Sequence, residues 1–323
     1  MKKFIIRIIL FLTGFLLIFI SVAKFDNVGR CQNKNDNVKK LLCFHNFDSL
    51  DILFLGNSYC YSGINPVYFD STGLKTFNLG VSTCGINYYT VLVNDYIKSV
   101  QKKPKSVFIL VSPMTLSEKA DDALNNPIYR YLNYPVSVEE YMLLYDPALL
   151  KNYPKIMARS FSRTFVNLYD YFITKQNYCN EAENKMVATK GYILSTNKTS
   201  LQSELNTNHF FVPFNKSVFD TTKTTRFLNL AYVLEKQGIK VVFYELPSNR
   251  LYSFFNSAYL QNYKAFVAKL KQKHDFIFVD LKLTDSYYRD QDHLNADGAI
   301  LASKQIIAQI KNNRQLAKLY FGN

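Results

Sequence analysis

The chain has 323 residues, 48% of them hydrophobic and 20% charged, which suits a folded core and excludes a disordered or fibrous protein. The net charge is +14, but Lys and Arg are spread thinly and form no dense stripe. That argues against a nucleic-acid partner and leaves an anionic membrane or wall polymer as the use of the charge, if it has one. Five cysteines, at 31, 43, 60, 84 and 179, form no Cys-x-x-Cys pair and no metal-ligand spacing, so no metal site is expected.

The N-terminus reads "MKKFIIRIILFLTGFLLIFISVAKF": Lys2, Lys3 and Arg7 precede an apolar run from Ile8 to Ala23. A span needs roughly 17–25 residues, so residues 1–25 are long enough for a single membrane helix if the run begins near Phe4 and Arg7 snorkels. The alternative is a signal segment cut after "SVA" (21–23), which leaves a secreted protein. Either way the body of the chain is expected outside the cytoplasm, on the plasma membrane in the first case. Residues 26–50, polar and rich in Asn and Lys, read as a juxtamembrane linker.

From Asp51 short apolar runs alternate with longer helical stretches. "ILFL" (52–55), "KTFNL" (75–79), "SVFILVS" (106–112), "KVVFYEL" (240–246) and "FIFVD" (276–280) are β-branched or aromatic and apolar on both faces, as buried parallel strands are. Helical spacing runs through 87–101, 225–238 and 295–313, the last opening on an Asn N-cap. The pattern predicts a three-layer α/β/α sandwich with a mostly parallel sheet over 51–313. Residues 113–224 break the rhythm, with helical pieces at 137–146 and 163–174, and are expected as a helical insertion capping the sheet's C-terminal edge. Residues 314–323 read as a tail.

Ligands of open α/β sheets bind outside the carboxyl ends of the strands. Ser58 stands there, on the "GNS" turn that ends the first strand, and "RDQDHLNADGA" follows the fifth. Serine is a weak nucleophile that needs an adjacent base, and the base needs an orienting group. His293 can be that base, with Asp290 at i−3 folding back to its Nδ1–H; Asp292, adjacent in sequence, is expected to point elsewhere, and Asp297 to serve the helix dipole. Taken singly, Ser58 also reads as a helix N-cap, His293 as a surface residue and Asp290 as a loop charge. Jointly, at strand ends, they point to catalysis. Glu245, Ser248 and Asn249 are placed on the same rim, as site lining or as plain loop. His45, His209 and His274 have no such partners and are expected in solvent. Cys60 and Cys84, after the first two strands, are candidates for a disulfide or close contact.

"FLGNSYCYSGINP", "NLGVSTCG" (78–85) and "DQDHLNADGA", in that order, resemble the SGNH/GDSL hydrolases, and most of all their membrane-anchored cell-envelope branch. The frame of the resemblance covers 51–112 and 226–313. It implies a flavodoxin-like fold, Ser58 as nucleophile, His293 as base, Asp290 as its partner, and no cofactor. Two oxyanion donors are implied: the N–H of Ser58 and that of Gly80, with Gly85 a rival for the second. It further implies ester chemistry on an O-acyl, in the first place O-acetyl, envelope glycan. Two alternatives stand beside it: an O-acyltransferase supplied by a membrane-bound acyl-delivery partner, as in relatives of this layout, and a binding or assembly protein that keeps the fold without the activity. The third block departs: the family writes Gly-x-Asn-Asp where this chain has "LVSPMT" (110–115), and the loss of one oxyanion donor can cost ~10²–10³ in rate.

Overall fold

The computed structural model describes residues 40–117 except 42 and 83, residues 185–194, residues 218–290 except 249–251, 253 and 254, residues 292–322, and part of 3–14. Strands β1 (Ile52–Leu55), β2 (Thr76–Asn78), β3 (Ser106–Leu110), β4 (Lys240–Glu245) and β5 (Asp275–Phe278) form one five-stranded parallel sheet in the order β2-β1-β3-β4-β5. β1 and β3 are buried along their whole length, so both faces at the centre of the sheet are covered.

The period-2 alternation of each strand divides its residues between two cores. Leu53, Leu55, Val107, Ile109, Val241 and Phe243 pack with α2 (Ile86–Ser99), α3 (Thr221–Lys236) and α4 (Ser257–Lys273). Ile52, Phe54, Phe108, Leu110, Val242 and Tyr244 pack with α1 (Ser58–Gly63), α5 (Ala296–Asn312) and α6 (Arg314–Phe321). Each fully buried Leu, Ile or Phe contributes about 1.5–3 kcal/mol, so the two cores make the sheet a stiff platform. Because β1 connects outward to β2 while the chain then crosses to β3, the strand order reverses between β1 and β3, and the crevice at their carboxyl ends is the natural place for a ligand.

Several boundaries differ from expectation. The last part of the expected linker belongs to the core: Lys40, Leu41, Cys43, Phe44 and Leu50 are buried. The expected tail instead forms α6, capped by Asn313, with Leu316 fully buried and the Tyr320 hydroxyl bonded to Ser106 Oγ at the start of β3. Of the expected insertion, residues 185–194 lie against the β2 end, where the Lys190 carbonyl accepts from Asn78 N–H at 2.9 Å and Ile193 N–H donates to the Tyr61 carbonyl at 3.4 Å. The helical pieces at 137–146 and 163–174 fall outside the described residues, as does most of the apolar run at 8–23. Among the described residues no helix is long and apolar enough to cross a membrane.

Candidate active site

The chain leaves β1 at Gly56, where a Cβ would stand 2.4 Å from Cys60 Cβ and 2.8 Å from Leu110 Cβ. Only glycine lets α1 turn back this tightly over β3. Asn57 then caps α1, its Oδ1 accepting from Tyr59 N–H at 3.0 Å. Ser58 is the first helical residue, half-buried, and its N–H has no acceptor within the helix.

Asn78, the last residue of β2, holds α1 in place. Its Nδ2 donates to the Cys60 and Ile64 carbonyls at 2.7 Å each, while its Oδ1 accepts from Gly80 N–H at 2.8 Å and Cys60 Sγ at 3.3 Å. This corrects two expectations. The Gly80 N–H, assigned to the oxyanion, is committed to Asn78, and a Cβ at Gly80 would meet Tyr61 N at 2.6 Å, so this glycine is there for close packing. Its carbonyl accepts from the buried Lys40 Nζ at 2.5 Å. The Cys60 thiol is buried and donates to Asn78, and no bridge joins it to Cys84. Gly85 caps α2, with its carbonyl accepting from Tyr88 and Tyr89 N–H at 3.1 and 3.2 Å.

His293 arrives on the loop before α5. Asn295 caps that helix through Gly298 N–H, and its Nδ2 reaches the Ser286 carbonyl at 2.7 Å. Arg289 N–H donates to the His293 carbonyl at 2.8 Å, which closes residues 289–293 into a tight loop. Asp290 Oδ1 sits inside it, accepting from the N–H groups of Asp292 and His293 at 3.1 and 2.7 Å and lying 2.9 Å from His293 Nδ1. Its Oδ2 accepts from Arg289 Nε at 3.0 Å. His293 Nε2 is 2.8 Å from Ser58 Oγ. A carboxylate at Nδ1 selects the Nδ1–H tautomer, which leaves Nε2 to accept from the serine hydroxyl.

Asp292 does not point elsewhere. Its side chain is buried, Oδ1 lies 2.9 Å from His293 Nδ1, and Oδ2 accepts from the Tyr59 hydroxyl. Tyr59 stacks on the imidazole with ring centroids 4.8 Å apart and planes 22° apart. Burial works against the imidazolium, but the hydrogen bonds and charges of Asp290 and Asp292 outweigh it and push His293 up to about 9. Burial also opposes the charged form of Asp290, yet the His293 hydrogen bond and charge hold this carboxyl far below the usual range. Burial pushes the Tyr59 hydroxyl well up, and the Asp292 charge adds to it, so the phenol stays protonated and serves as a donor.

In place of the third-block Asn, the loop after β3 forms a short turn (Pro113–Leu116) closed by Thr115 Oγ1, which accepts from Ser112 N–H at 3.2 Å and donates to the Ser112 carbonyl at 2.7 Å. Met114 meets the Tyr59 hydroxyl at 3.8 Å. Glu245 follows Phe243 in alternation and so belongs to the α4 face of the sheet rather than the Ser58 side; Asn249 lies outside the described residues. His274 is not in solvent: its Nδ1 lies 3.1 Å from Glu235 Oε1 and its ring packs edge-on against Phe243. His209 and the side chain of His45 are outside the described residues. Asp290, Asp292 and His293 have ligand atoms close enough together to hold a metal ion, but the same atoms already bond to one another, to Ser58 and to Tyr59.

No family model matches the sequence, and no curated protein matches it. The solved structures similar to it include three at low identity. A Bacteroides fragilis protein provisionally named an acylhydrolase is 13% identical over 84% of this chain and 92% of its own, with a TM-score of 0.40. A GDSL-like lipase from Bacteroides thetaiotaomicron is 12% identical over 81% and 87%, with a TM-score of 0.38. A Streptococcus pneumonia protein provisionally named a platelet activating factor is 12% identical over 90% and 98%, with a TM-score of 0.39.

Proposed function

We propose that this protein is a serine-dependent acyl-ester hydrolase, with Ser58 as nucleophile, His293 as general base and acid, and Asp290 as the group that orients the imidazole. The observation that carries the reading is Ser58 Oγ at 2.8 Å from His293 Nε2 while Asp290 lies 2.9 Å from Nδ1. Nucleophile, base and orienting group are thus in hydrogen-bond contact at the carboxyl ends of the strands.

The reaction divides into two transfers. Ser58 Oγ attacks the ester carbonyl carbon as its proton passes to Nε2, and the tetrahedral oxyanion collapses when Nε2 returns that proton to the departing alcohol. Water then gives a proton to the same nitrogen as it attacks the acyl-serine, and the second tetrahedral intermediate collapses when Nε2 passes that proton to the departing Ser58 Oγ, releasing the acid and the free serine. The uncommitted N–H of Ser58 serves the oxyanion. The Gly80 N–H is bonded to Asn78 and does not share that role, which leaves Gly85, the rival for it in the sequence, as the candidate for the second donor.

The substrate we propose is an O-acyl, in the first place O-acetyl, ester of an extracytoplasmic envelope glycan, reached by a domain on an N-terminal membrane segment. This rests on the three sequence blocks and on the apolar run at 8–23. The test is hydrolysis of aryl acetates and of an O-acetylated glycan by the full chain and by Ser58→Ala. Loss of turnover by several orders of magnitude with an unchanged circular dichroism spectrum is expected. Retained turnover in the folded variant would remove the nucleophile, and acetyl appearing on an added sugar instead of in solution would make the protein a transferase.

A further inference from the structure

His293 is held from two sides, and the second side has no part in the reaction as set out above. Asp290 occupies Nδ1 from within the loop; Asp292 reaches the same nitrogen at an equal 2.9 Å and is itself bonded to the Tyr59 hydroxyl. Tyr59 is the residue after the nucleophile, so one turn of α1 carries both the serine and the ring that stacks on the base.

We propose that Asp292 and Tyr59 form a second arm on His293, in which Asp292 shares the Nδ1–H with Asp290 and the Tyr59 hydroxyl limits how strongly Asp292 holds the imidazolium. The physical need is plain. Two carboxylates on one imidazole favour its charged form, and a charged imidazole cannot take the serine proton. A phenol donating to Asp292 satisfies part of that carboxylate and weakens its pull, while the stacked ring keeps the imidazole plane aimed at Ser58. Both residues are positioning residues: neither bonds to Ser58 Oγ.

Among the described residues, the charged and titratable groups that face His293 are Asp290, Asp292 and Arg289 from its own loop and Ser58 and Tyr59 from α1; Met114, against the Tyr59 hydroxyl, is neutral. The two members of the arm therefore act in opposite directions on one titration. Asp292→Asn removes a charge beside Nδ1 but leaves the Tyr59 hydroxyl an acceptor, and should lower the imidazole titration by about 1–2 units. Tyr59→Phe keeps the stacked ring, frees Asp292 from its donor, and should raise the titration.

The catalytic meaning of the arm rests on the hydrolase reading, but its test does not. The His293 titration is followed by NMR of the imidazole in the full chain and in each variant, alongside the pH profile of kcat/KM for an aryl acetate. Opposite shifts in the two variants support the arm. Shifts of the same sign, or none in a folded Asp292→Asn protein, overturn it. A hydrolase reading that fails shows itself separately, as turnover that survives Ser58→Ala while the NMR shifts stand.

Discussion

At the scale of single residues, the site predicts its own pH dependence. His293 must be neutral to accept the serine proton, and its value near 9 means that kcat/KM for an aryl ester should climb tenfold per pH unit through neutrality and level off near 9. A plateau already reached at pH 7 would show that the two carboxylates do not hold the ring. Because both lie 2.9 Å from Nδ1, Asp290→Asn should cost less than the ~10⁴ seen when a lone partner is lost, and the Asp290→Asn/Asp292→Asn pair should cost more than either alone. Ser58, His293 and Asp290 were legible because serine after a strand and Asp-x-x-His before a helix are local patterns. Asp292 was not. Adjacent side chains diverge on an extended chain, but here Arg289 N–H bonds the His293 carbonyl and Asp290 bonds two successive N–H groups, and that curl brings both carboxylates to one nitrogen.

At the scale of elements, α1 depends on β2 through one side chain. Asn78 is fully buried and answers two carbonyls and one N–H, so Asn78→Ala leaves the Cys60 and Ile64 carbonyls and Gly80 N–H without that partner. The expected loss is about 2–4 kcal/mol by urea unfolding, from two or three unsatisfied groups at about 1–3 kcal/mol each, with activity falling further than stability because Ser58 rides on α1. An unchanged midpoint would mean that water replaces the amide. The strands were legible from their two-sided apolar runs, whereas Asn78 looked like ordinary strand-end polarity and Gly80 drew the functional assignment instead. α4 was not legible although Tyr259, Tyr263, Phe266, Val267 and Leu270 are spaced for one helical face; its Lys- and Gln-rich outer face lowers the overall apolar signal. α6 is short, and its burial depends on β3, which no local pattern reveals.

At the scale of the whole molecule, activity and stability run against each other with pH. Burial pushes the Glu245 carboxyl up to about 7, against the opposing pull of Tyr263 and Lys271. A value raised in the folded state favours the protonated form there, so this contribution is complete below about 4.5 and is lost as pH rises through 7. The raised His293 likewise contributes below its ordinary value of 6.5 and loses that contribution as pH rises through about 9. Stability should therefore decline from mildly acid to alkaline pH, and Glu245→Gln should remove about 3 kcal/mol of that decline, a figure equal to its shift at 1.36 kcal/mol per unit. Urea midpoints at pH 5 and 8 measure it; equal slopes for the parent and the variant would place the titration elsewhere. The same global arrangement has a bearing on how the protein comes into being. Ser58 and His293 stand 235 positions apart, and α6 packs through Leu316 and Tyr320 on the sheet that aligns them. A growing polypeptide thus carries the proposed nucleophile long before the proposed base is made. In the proposed reading, turnover should begin only once the loop before α5 has been made and packed against α1.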